Sequence, residues 1–421
     1  MDPDGNMAWF ENLGSRGIKP GLDNITELLE RLGNPHEGVR YIHVAGTDGK
    51  GSVCAMIESI LNASDIRAGA FTSPHIQRVN ECIRLAGEDI SDADLDDIMS
   101  RVRPCAEEMA FEGRVCTSFE VLTACALLYF NLVAVEIAVV EVGMGGRLDS
   151  TNVITPEVSV INNIGVEHTA YLGSTIEEIA FEKAGIMKPD VPCVTINDGP
   201  VLEVLMRRSE DVGAPLTQVS VSEVEVVNSR PDAIEMIYRG ELFEVALPGR
   251  HQAGNAALAI GAVSLLDDYG ERIREHVVDG LATVSWPCRM QKMMAMPIVV
   301  DVTHTKEGAV CLASDVSEIY GKVVLVIGML NDKDLDGVAR VLAPVAERVF
   351  VTAPDSSRAA SPEVLGEVMS SYHDDVTVMP TVADAMEAAM ECRGDLNILA
   401  TGSFRTAEDV LRWFQERFAT S

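Results

Sequence analysis

Tyr41-Ile42-His43-Val44-Ala45-Gly46-Thr47-Asp48-Gly49-Lys50-Gly51-Ser52 is the stretch that decides the fold. Its first five residues read as a buried strand, the glycines break that strand, and a helical run follows. Glycines in such a turn let backbone N–H groups face phosphate oxygens. Lys50 supplies positive charge, and the N-terminus of the next helix favours an anion. Thr47, Asp48, Gly49, Lys50, Gly51 and Ser52 are therefore candidates for cradling the phosphates of a nucleotide. The full G-x-x-x-x-G-K-[ST] pattern is not met, because the first Gly is displaced and Ser52 comes one position late. A plain glycine-rich turn has the same outline, but Lys50 is one of only eight lysines in the chain, which favours the phosphate reading.

Outward from this unit, short β-branched runs alternate with longer helical patterns, the sequence form of βαβ units on a parallel sheet. Strands are expected at Tyr41–Ala45, Ala68–Thr72, Ile137–Val142, Val158–Asn162 and Pro192–Ile196. Between Val219 and Leu247 the period drops to two, with a turn at Asn228-Ser229-Arg230-Pro231-Asp232, so a small antiparallel excursion is expected there. A helix follows from His251 to about Leu266. After Trp286-Pro287-Cys288-Arg289 the alternation restarts, with strands at Ile298–Asp301, Val323–Ile327, Arg348–Thr352, Val376–Val378 and Asn397–Ala400. The expected class is α/β. An N-terminal P-loop ATPase-like domain over residues 1–288 has a mostly parallel central sheet with the antiparallel excursion, and a smaller Rossmann-like α/β domain covers residues 289–421. Val121–Val142 is apolar enough to raise the question of a membrane span. Asn131, Glu136 and Glu141 interrupt it, and carboxylates are costly in lipid, so a buried helix ending near Asn131 and then a buried strand are expected.

Composition excludes some function classes. The chain has 421 residues, which at about 100–200 per domain allows two to four domains. Its 33 basic and 65 acidic residues give a net charge of -32. Such a surface repels nucleic-acid backbones and anionic lipid, so neither nucleic acid nor a membrane is an expected partner. Hydrophobic content of 47% with 23% charged residues is that of a globular chain. Eight lysines against 25 arginines, with the acidic excess, fit a salt-rich cytoplasm. Nine cysteines without a C-x-x-C pair fit a reducing compartment. Met1-Asp2-Pro3-Asp4-Gly5 has neither a basic n-region nor an apolar core, so the expected location is cytoplasmic.

Nucleotide phosphates call for a hard cation such as Mg²⁺, bound by oxygen ligands and some side-chain nitrogens at strand ends. Glu141 closes a buried strand and precedes Gly143-Met144-Gly145-Gly146-Arg147-Leu148-Asp149; a carboxylate there is hard to bury without a cation. His168 follows the strand near Asn162 through Gly165-Val166-Glu167, and Thr72-Ser73-Pro74-His75 follows another strand. A polar residue at a core edge and a Ser-Pro turn are the plainer readings of those two. Phe181-Glu182-Lys183-Ala184-Gly185-Ile186 also reads as a helix end with its glycine stop.

Taken in order, Gly46-Thr47-Asp48-Gly49-Lys50-Gly51-Ser52, Thr72-Ser73-Pro74-His75, Glu141–Asp149, Glu182–Ile186, His251-Gln252-x-x-Asn255 and Gly328-Met329-Leu330-x-Asp332-Lys333-Asp334 resemble the folylpolyglutamate synthase/dihydrofolate synthase family of the Mur ligase superfamily. The resemblance runs from about Gly17-Ile18-Lys19-Pro20-Gly21-Leu22 to Gly402-Ser403. It implies an ATP-dependent amide ligase that joins a carboxylic acid acceptor to the amine of L-glutamate. The acceptor carboxylate is phosphorylated, the amine attacks the acyl phosphate, and phosphate leaves. Closure of two domains would keep water from the acyl phosphate. By position, Lys50 matches a residue of the phosphate site, Ser73 and Glu141 match ligands of a first Mg²⁺, and His168 matches a ligand of a second. Lys183 matches a lysine that takes up CO₂ to become a carbamate ligand of that second metal. Asn255 matches a residue near the adenine, although a helical Asn cap is the plainer reading. Arg289 matches an arginine that reaches the phosphates, Asp301 a ribose contact and His304 a phosphate contact. The implied catalytic set is Lys50, His168, Lys183 and His304, and the family leans towards monomers.

The departures bear on the acceptor. The family usually has Asn where Asp48 stands, Gly where Cys288 stands, and Asp-Gly-Ala-His-Asn-Pro where this chain has Asp301-Val302-Thr303-His304-Thr305-Lys306. A folate or dihydropteroate-type acid is the first expectation. A ligase of the same superfamily acting on another acid, such as a non-folate pterin or a cell-wall peptide precursor, is the alternative. A non-catalytic nucleotide-binding protein is disfavoured, since it needs neither metal pair nor carbamate.

Overall fold

The computed structural model describes residues 5–14, 17, 19–293 and 296–418. Met1–Asp4 of the N-terminal reading and Ile18 of the first motif lie outside the described residues. The described residues form two compact units, one drawn from Met1–Glu223 and Gly254–Val284, the other from Val224–Ala253 and Ser285–Ser421.

In the first unit, eight strands form one sheet: β1 (Tyr41–Ala45), β2 (Ala68–Phe71), β3 (Ile83–Leu85), β4 (Glu88–Asp89), β5 (Ile137–Glu141), β6 (Val158–Ile161), β7 (Cys193–Thr195) and β8 (Leu216–Gln218). Their order is β4-β3-β2-β5-β1-β6-β7-β8. The pairs β2–β3 and β3–β4 are antiparallel and the rest are parallel. Strands β1, β2, β5, β6 and β7 are buried along their whole length, as strands covered on both faces must be. The apolar run questioned as a membrane span folds as the helix Ser118–Leu132 and then β5. A reciprocal cap starts that helix: Thr117 Oγ1 accepts from the Glu120 amide at 3.2 Å, and the Glu120 carboxylate accepts from the Thr117 amide at 2.7 Å. Its apolar surface packs into a core with Ile25, Leu28, Phe71 and Met99. Among the described residues no helix is long and apolar enough to cross a membrane.

The second unit holds two sheets. Strands β9 (Val224–Ser229), β10 (Ile234–Tyr238) and β11 (Glu241–Val245) form the antiparallel excursion, with the Arg230 amide donating to the Ala233 carbonyl across the expected turn. Although these residues precede position 288, β9 packs on the helix Lys306–Ile319, so by contact the excursion belongs with the later part of the chain. The other sheet comprises β12 (Gln291–Lys292), β13 (Ile298–Val300), β14 (Val323–Gly328), β15 (Ala346–Thr352), β16 (Val376–Val378) and β17 (Asn397–Thr401), in the order β12-β13-β17-β14-β15-β16. All its pairs are parallel except β12–β13.

Candidate active site

Register brings the sequence motifs of the first unit together. β1 lies between β5 and β6, with Val44 opposite Glu141 on one side and opposite Val160 on the other. Phe71 of β2 pairs with Val140 of β5. The loops after β1, β2, β5 and β6 therefore leave the sheet at one level, at the carboxyl edge where the chain switches direction across β1. Open α/β sheets bind ligands there.

The loop after β1 is tightly laced. The Thr47 amide donates to the Asn163 carbonyl at 2.7 Å, and the Thr47 hydroxyl lies 3.0 Å from the Gly165 amide that donates to it. Gly49 caps the helix Lys50–Ala63 with φ at 76°, and a Cβ there would fall 2.6 Å from both Asn162 Nδ2 and Asn255 Oδ1. Asn162 Nδ2 donates to the Asp48 carbonyl at 3.0 Å and to Asn255 Oδ1 at 2.9 Å. Asn255 lies inside the helix His251–Val263, so it is no cap; it braces the loop through Asn162. Lys50 Nζ folds back on the Thr47 carbonyl at 3.0 Å, and Ser52 is buried in the first turn of its helix.

Lys183, in the last turn of the helix Ile176–Ala184, is only 1% exposed. Its Nζ donates to the Gly46 carbonyl at 2.6 Å and to Glu167 Oε1 at 2.9 Å. Burial pushes the Lys183 ammonium down to about 8; Glu167 pulls it up, and Lys50 adds to the fall. Burial alone would raise the Glu167 carboxyl, but Lys183 and Lys50 outweigh it and hold that group at about 2. His168 Nε2 lies 3.8 Å from Glu167 Oε2. Glu167 thus touches both members of the expected second metal pair. Sequence reasoning passed over it as a linker residue; the available signal was a second ionisable side chain beside His168 in a strand-end loop.

Glu141, the last residue of β5 and 4% exposed, accepts from the Ser73 amide at 3.1 Å, so the expected first pair also meets. Beyond it the chain turns back through Asp149, which accepts from the Met144 amide at 2.8 Å and from the Thr151 hydroxyl at 2.5 Å. Burial raises the Asp149 carboxyl, and those hydrogen bonds oppose the rise. Since the Thr151 hydroxyl proton goes to Asp149, buried His43 Nε2, 2.8 Å away, must donate to Thr151. Its Nδ1 is then the bare nitrogen and has no hydrogen-bond partner among the described residues, and burial pushes His43 down to about 3. The loop also interlocks with the Lys183 helix. The Arg147 amide donates to the Glu182 carbonyl at 2.8 Å, and Asn152 Nδ2 bridges the carbonyls of Arg147 and Gly185. A Cβ on Gly185 would fall 2.3 Å from Arg147 Cβ.

Among the described residues no three His, Cys, Asp or Glu side chains form a ready metal cluster. The oxygen-bearing sets are smaller: Ser73 with Glu141, and Glu167 with His168 beside Lys183.

In the second unit, Asp301 follows β13. Its two oxygens accept from the amides of Met290 at 3.0 Å and Thr303 at 2.7 Å, which ties the segment holding Arg289 to the segment holding His304. His304 Nδ1 lies 2.9 Å from the Val302 carbonyl, so Nδ1 carries the proton. Lys306 is exposed at the start of its helix, which Thr305 caps.

Residues 44–263 match the family model described as Mur ligase middle domain, and residues 288–404 the one described as Mur ligase, glutamate ligase domain. The probable bifunctional folylpolyglutamate synthase/dihydropteroate synthase of Haloferax volcanii is 35% identical over 412 residues, covering 94% of this chain and 49% of the relative. The chain thus spans about half the length of that relative. The dihydrofolate synthase/folylpolyglutamate synthase of Bacillus subtilis is 35% identical over 373 residues, covering 84% of this chain and 85% of the relative. Mycobacterium tuberculosis folylpolyglutamate synthase complexed with ADP superposes with a TM-score of 0.88 at 33% identity, covering 97% of this chain and 98% of that one. A bifunctional folylpolyglutamate synthase/dihydrofolate synthase with Mn, AMPPNP and L-glutamate bound superposes at 0.81 with 26% identity, covering 97% and 98%. With both family models matched in order and a relative above 30% identity covered over most of its length, this chain belongs to the folylpolyglutamate synthase/dihydrofolate synthase family of ATP-dependent Mur-type ligases.

Proposed function

We propose that this chain joins L-glutamate to the carboxylate of a folate or dihydropteroate-type acid, with ATP cleaved to ADP and phosphate. The observation that carries the reading is the buried Lys183, donating both to the carbonyl of Gly46 in the phosphate loop and to Glu167. A buried ammonium tied to a nucleotide loop has no structural need that a neutral side chain would not meet at lower desolvation cost.

In this reading residues 1–288, apart from the excursion Val224–Ala253, bind the nucleotide and residues 289–421 complete the ligase. Lys50 and the amides of Asp48, Gly49, Gly51 and Ser52 hold the phosphates, Thr47 fixes the loop through Asn163 and Gly165, and Asn255 braces it near the adenine. The acceptor carboxylate attacks the terminal phosphorus and ADP leaves. The glutamate amine then attacks the acyl carbon, the tetrahedral intermediate expels phosphate, and an amide remains. Arg289, Asp301 and His304 contact phosphate and ribose. Mg²⁺ held by Ser73 and Glu141, and a second held by His168 with Lys183 as a CO₂-derived carbamate, would neutralise charge on the phosphoryl group. The residues fit that chemistry. An amine pushed down to about 8 is partly unprotonated near neutrality, and the free amine is the form that adds CO₂. Replacing the ammonium by an anionic carbamate beside Glu167 leaves two negative groups together, which a divalent cation shared with His168 relieves. We place the enzyme in the cytoplasm as a monomer.

The test is a panel of acids and amino acids assayed for ATP-dependent phosphate release, with amide products identified by mass spectrometry. Glutamylated dihydropteroate or folate is the expected product. Ligation of an amino acid to a peptide precursor, with no pterin glutamylated, would overturn the acceptor and leave the ligase chemistry standing.

A further inference from the structure

One aromatic ring joins two side chains that the mechanism treats separately. The Arg289 guanidinium carbon lies over the Phe404 ring, 5.7 Å from its centre. The His304 ring lies 5.9 Å from the same ring, tilted by 57°. Arg289 Nε is buried and has no hydrogen-bond partner among the described residues. In a chain with 65 acidic residues, most arginines among the described residues pair with carboxylates; this one faces a ring. The difference has a chemical use. A carboxylate would neutralise the guanidinium and occupy its N–H groups, whereas a ring face attracts the cation and leaves those donors for an incoming anion.

The surroundings hold the pair in place. Cys288 and Met290, on either side of Arg289, have φ of 55° and 46°, a region that side chains other than glycine disfavour. The Cys288 amide is held by Gln291 Oε1 at 2.9 Å and the Met290 amide by Asp301. Phe404 opens the helix Phe404–Phe418. The Ser403 hydroxyl accepts from the Thr406 amide at 3.0 Å, and the Thr406 hydroxyl donates to the Gly328 carbonyl at 2.6 Å, so the start of that helix is pinned to the end of β14.

We propose that Phe404 is a positioning residue: its ring face sets the pose in which the Arg289 guanidinium meets a phosphate, and His304 packs on the ring to fix it. This rests on the phosphate role given to Arg289 above. Phe404→Leu, Phe404→Tyr and Arg289→Ala, made in the full chain, separate the two ideas. Phe404→Leu keeps an apolar side chain without the π face. It should weaken binding of a non-hydrolysable ATP analogue, measured by titration calorimetry, and kcat/KM for ATP by about 2- to 30-fold, while the melting temperature stays nearly constant. Phe404→Tyr, which keeps the ring face, should restore most of that loss, and the Arg289→Ala background separates the cation–ring contact from ring volume. In the Arg289→Ala background the cost of Phe404→Leu should shrink by more than half on a logarithmic scale. Phe404→Met serves as the second aliphatic variant where Phe404→Leu yields little folded protein. Wild-type behaviour of the aliphatic variants while Arg289→Ala loses affinity overturns the positioning role alone, and so does an equal cost in both backgrounds. Unchanged ATP handling by Arg289→Ala sinks the phosphate role of Arg289, and the positioning role with it.

Discussion

Lys50 sits half-buried with its ammonium folded on the Thr47 carbonyl, a weak partner that a phosphate oxygen readily replaces. Removing it in Lys50→Ala takes away a charge-assisted contact of roughly 1.5–3 kcal/mol in the ground state and more as charge develops on the transferring group. Turnover should fall by at least about a hundredfold, since each 1.4 kcal/mol is worth a factor of ten. The melting temperature should hardly move, because among the described residues the ammonium bonds only its own loop. Steady-state phosphate release with a thermal melt checks both parts. Lys183 differs, since its ammonium ties Gly46 to Glu167 from within the core. Lys183→Ala is expected to be nearly inactive, and added acetate to restore part of the activity by supplying the missing oxygens. Rescue by chloride at the same ionic strength would point to a salt effect instead. A bare amine at Lys183 in a metal-loaded, active crystal would sink the carbamate.

At the level of elements, the loop Gly143–Asp149 and the end of the helix Ile176–Ala184 act as one piece. The close approach of Arg147 to Gly185 makes Gly185→Ala a sensitive probe: the added methyl forces the loop off the helix that carries Lys183, an overpacking cost of roughly 1–3 kcal/mol. A lower melting temperature together with lost turnover is expected, and full activity would show that the interlock is dispensable. The strands themselves were legible in the sequence, because β1, β5, β6, β14 and β17 are mostly apolar runs with a Gly or Asn at or just after the C-terminal end, and their observed ends match the expected ones to within a residue. β3, β4, β8 and β12 were not, since two or three residues carry no period of their own. The joining of Val224–Ala253 to the later unit was also hidden, because it depends on contact between β9 and a helix that begins at Lys306, 77 positions after β9 ends at Ser229. Within the candidate site, residue types at strand ends pointed to Lys50, Glu141 and His168. The network of Asn162, Glu167, Asp149 and Thr151 did not show, because its members meet only through register. His43 belongs to that network and gives a pH signature. Held neutral in the fold at about 3 against its ordinary 6.5, it takes up its proton mainly on unfolding, so stability falls as pH drops through that window. Relative to His43→Gln, whose amide can still donate to Thr151, the wild type should lose unfolding free energy between about pH 7.5 and about pH 5, read by urea denaturation. Equal losses in both proteins would remove His43 from the account.

For the whole molecule the governing number is the net charge of -32. Two opposed electrostatic effects act on it, and their ranges decide which one salt removes first. Favourable pairs are short: Arg31 contacts Glu27 at 2.8 Å and Glu112 at 2.6 Å, and Arg114 contacts Glu27 at 2.7 Å. Each such surface pair is worth only about 0.2–1 kcal/mol. The repulsion among unpaired carboxylates is spread over much longer separations. The screening length is about 10 Å at 0.1 M salt and about 3 Å at 1 M, so added salt extinguishes the repulsion while contacts under 3 Å are weakened least. Raising KCl from about 0.1 M to about 1 M should therefore raise the melting temperature, steeply at first and then levelling as the screening length nears contact distance. NaCl and KCl should give superimposable curves over the lower half of that range, because screening depends on ionic strength and not on which cation supplies it. A melting temperature that stays flat or falls in both salts would mean that the short pairs, and not the excess of carboxylates, dominate the electrostatics of this chain.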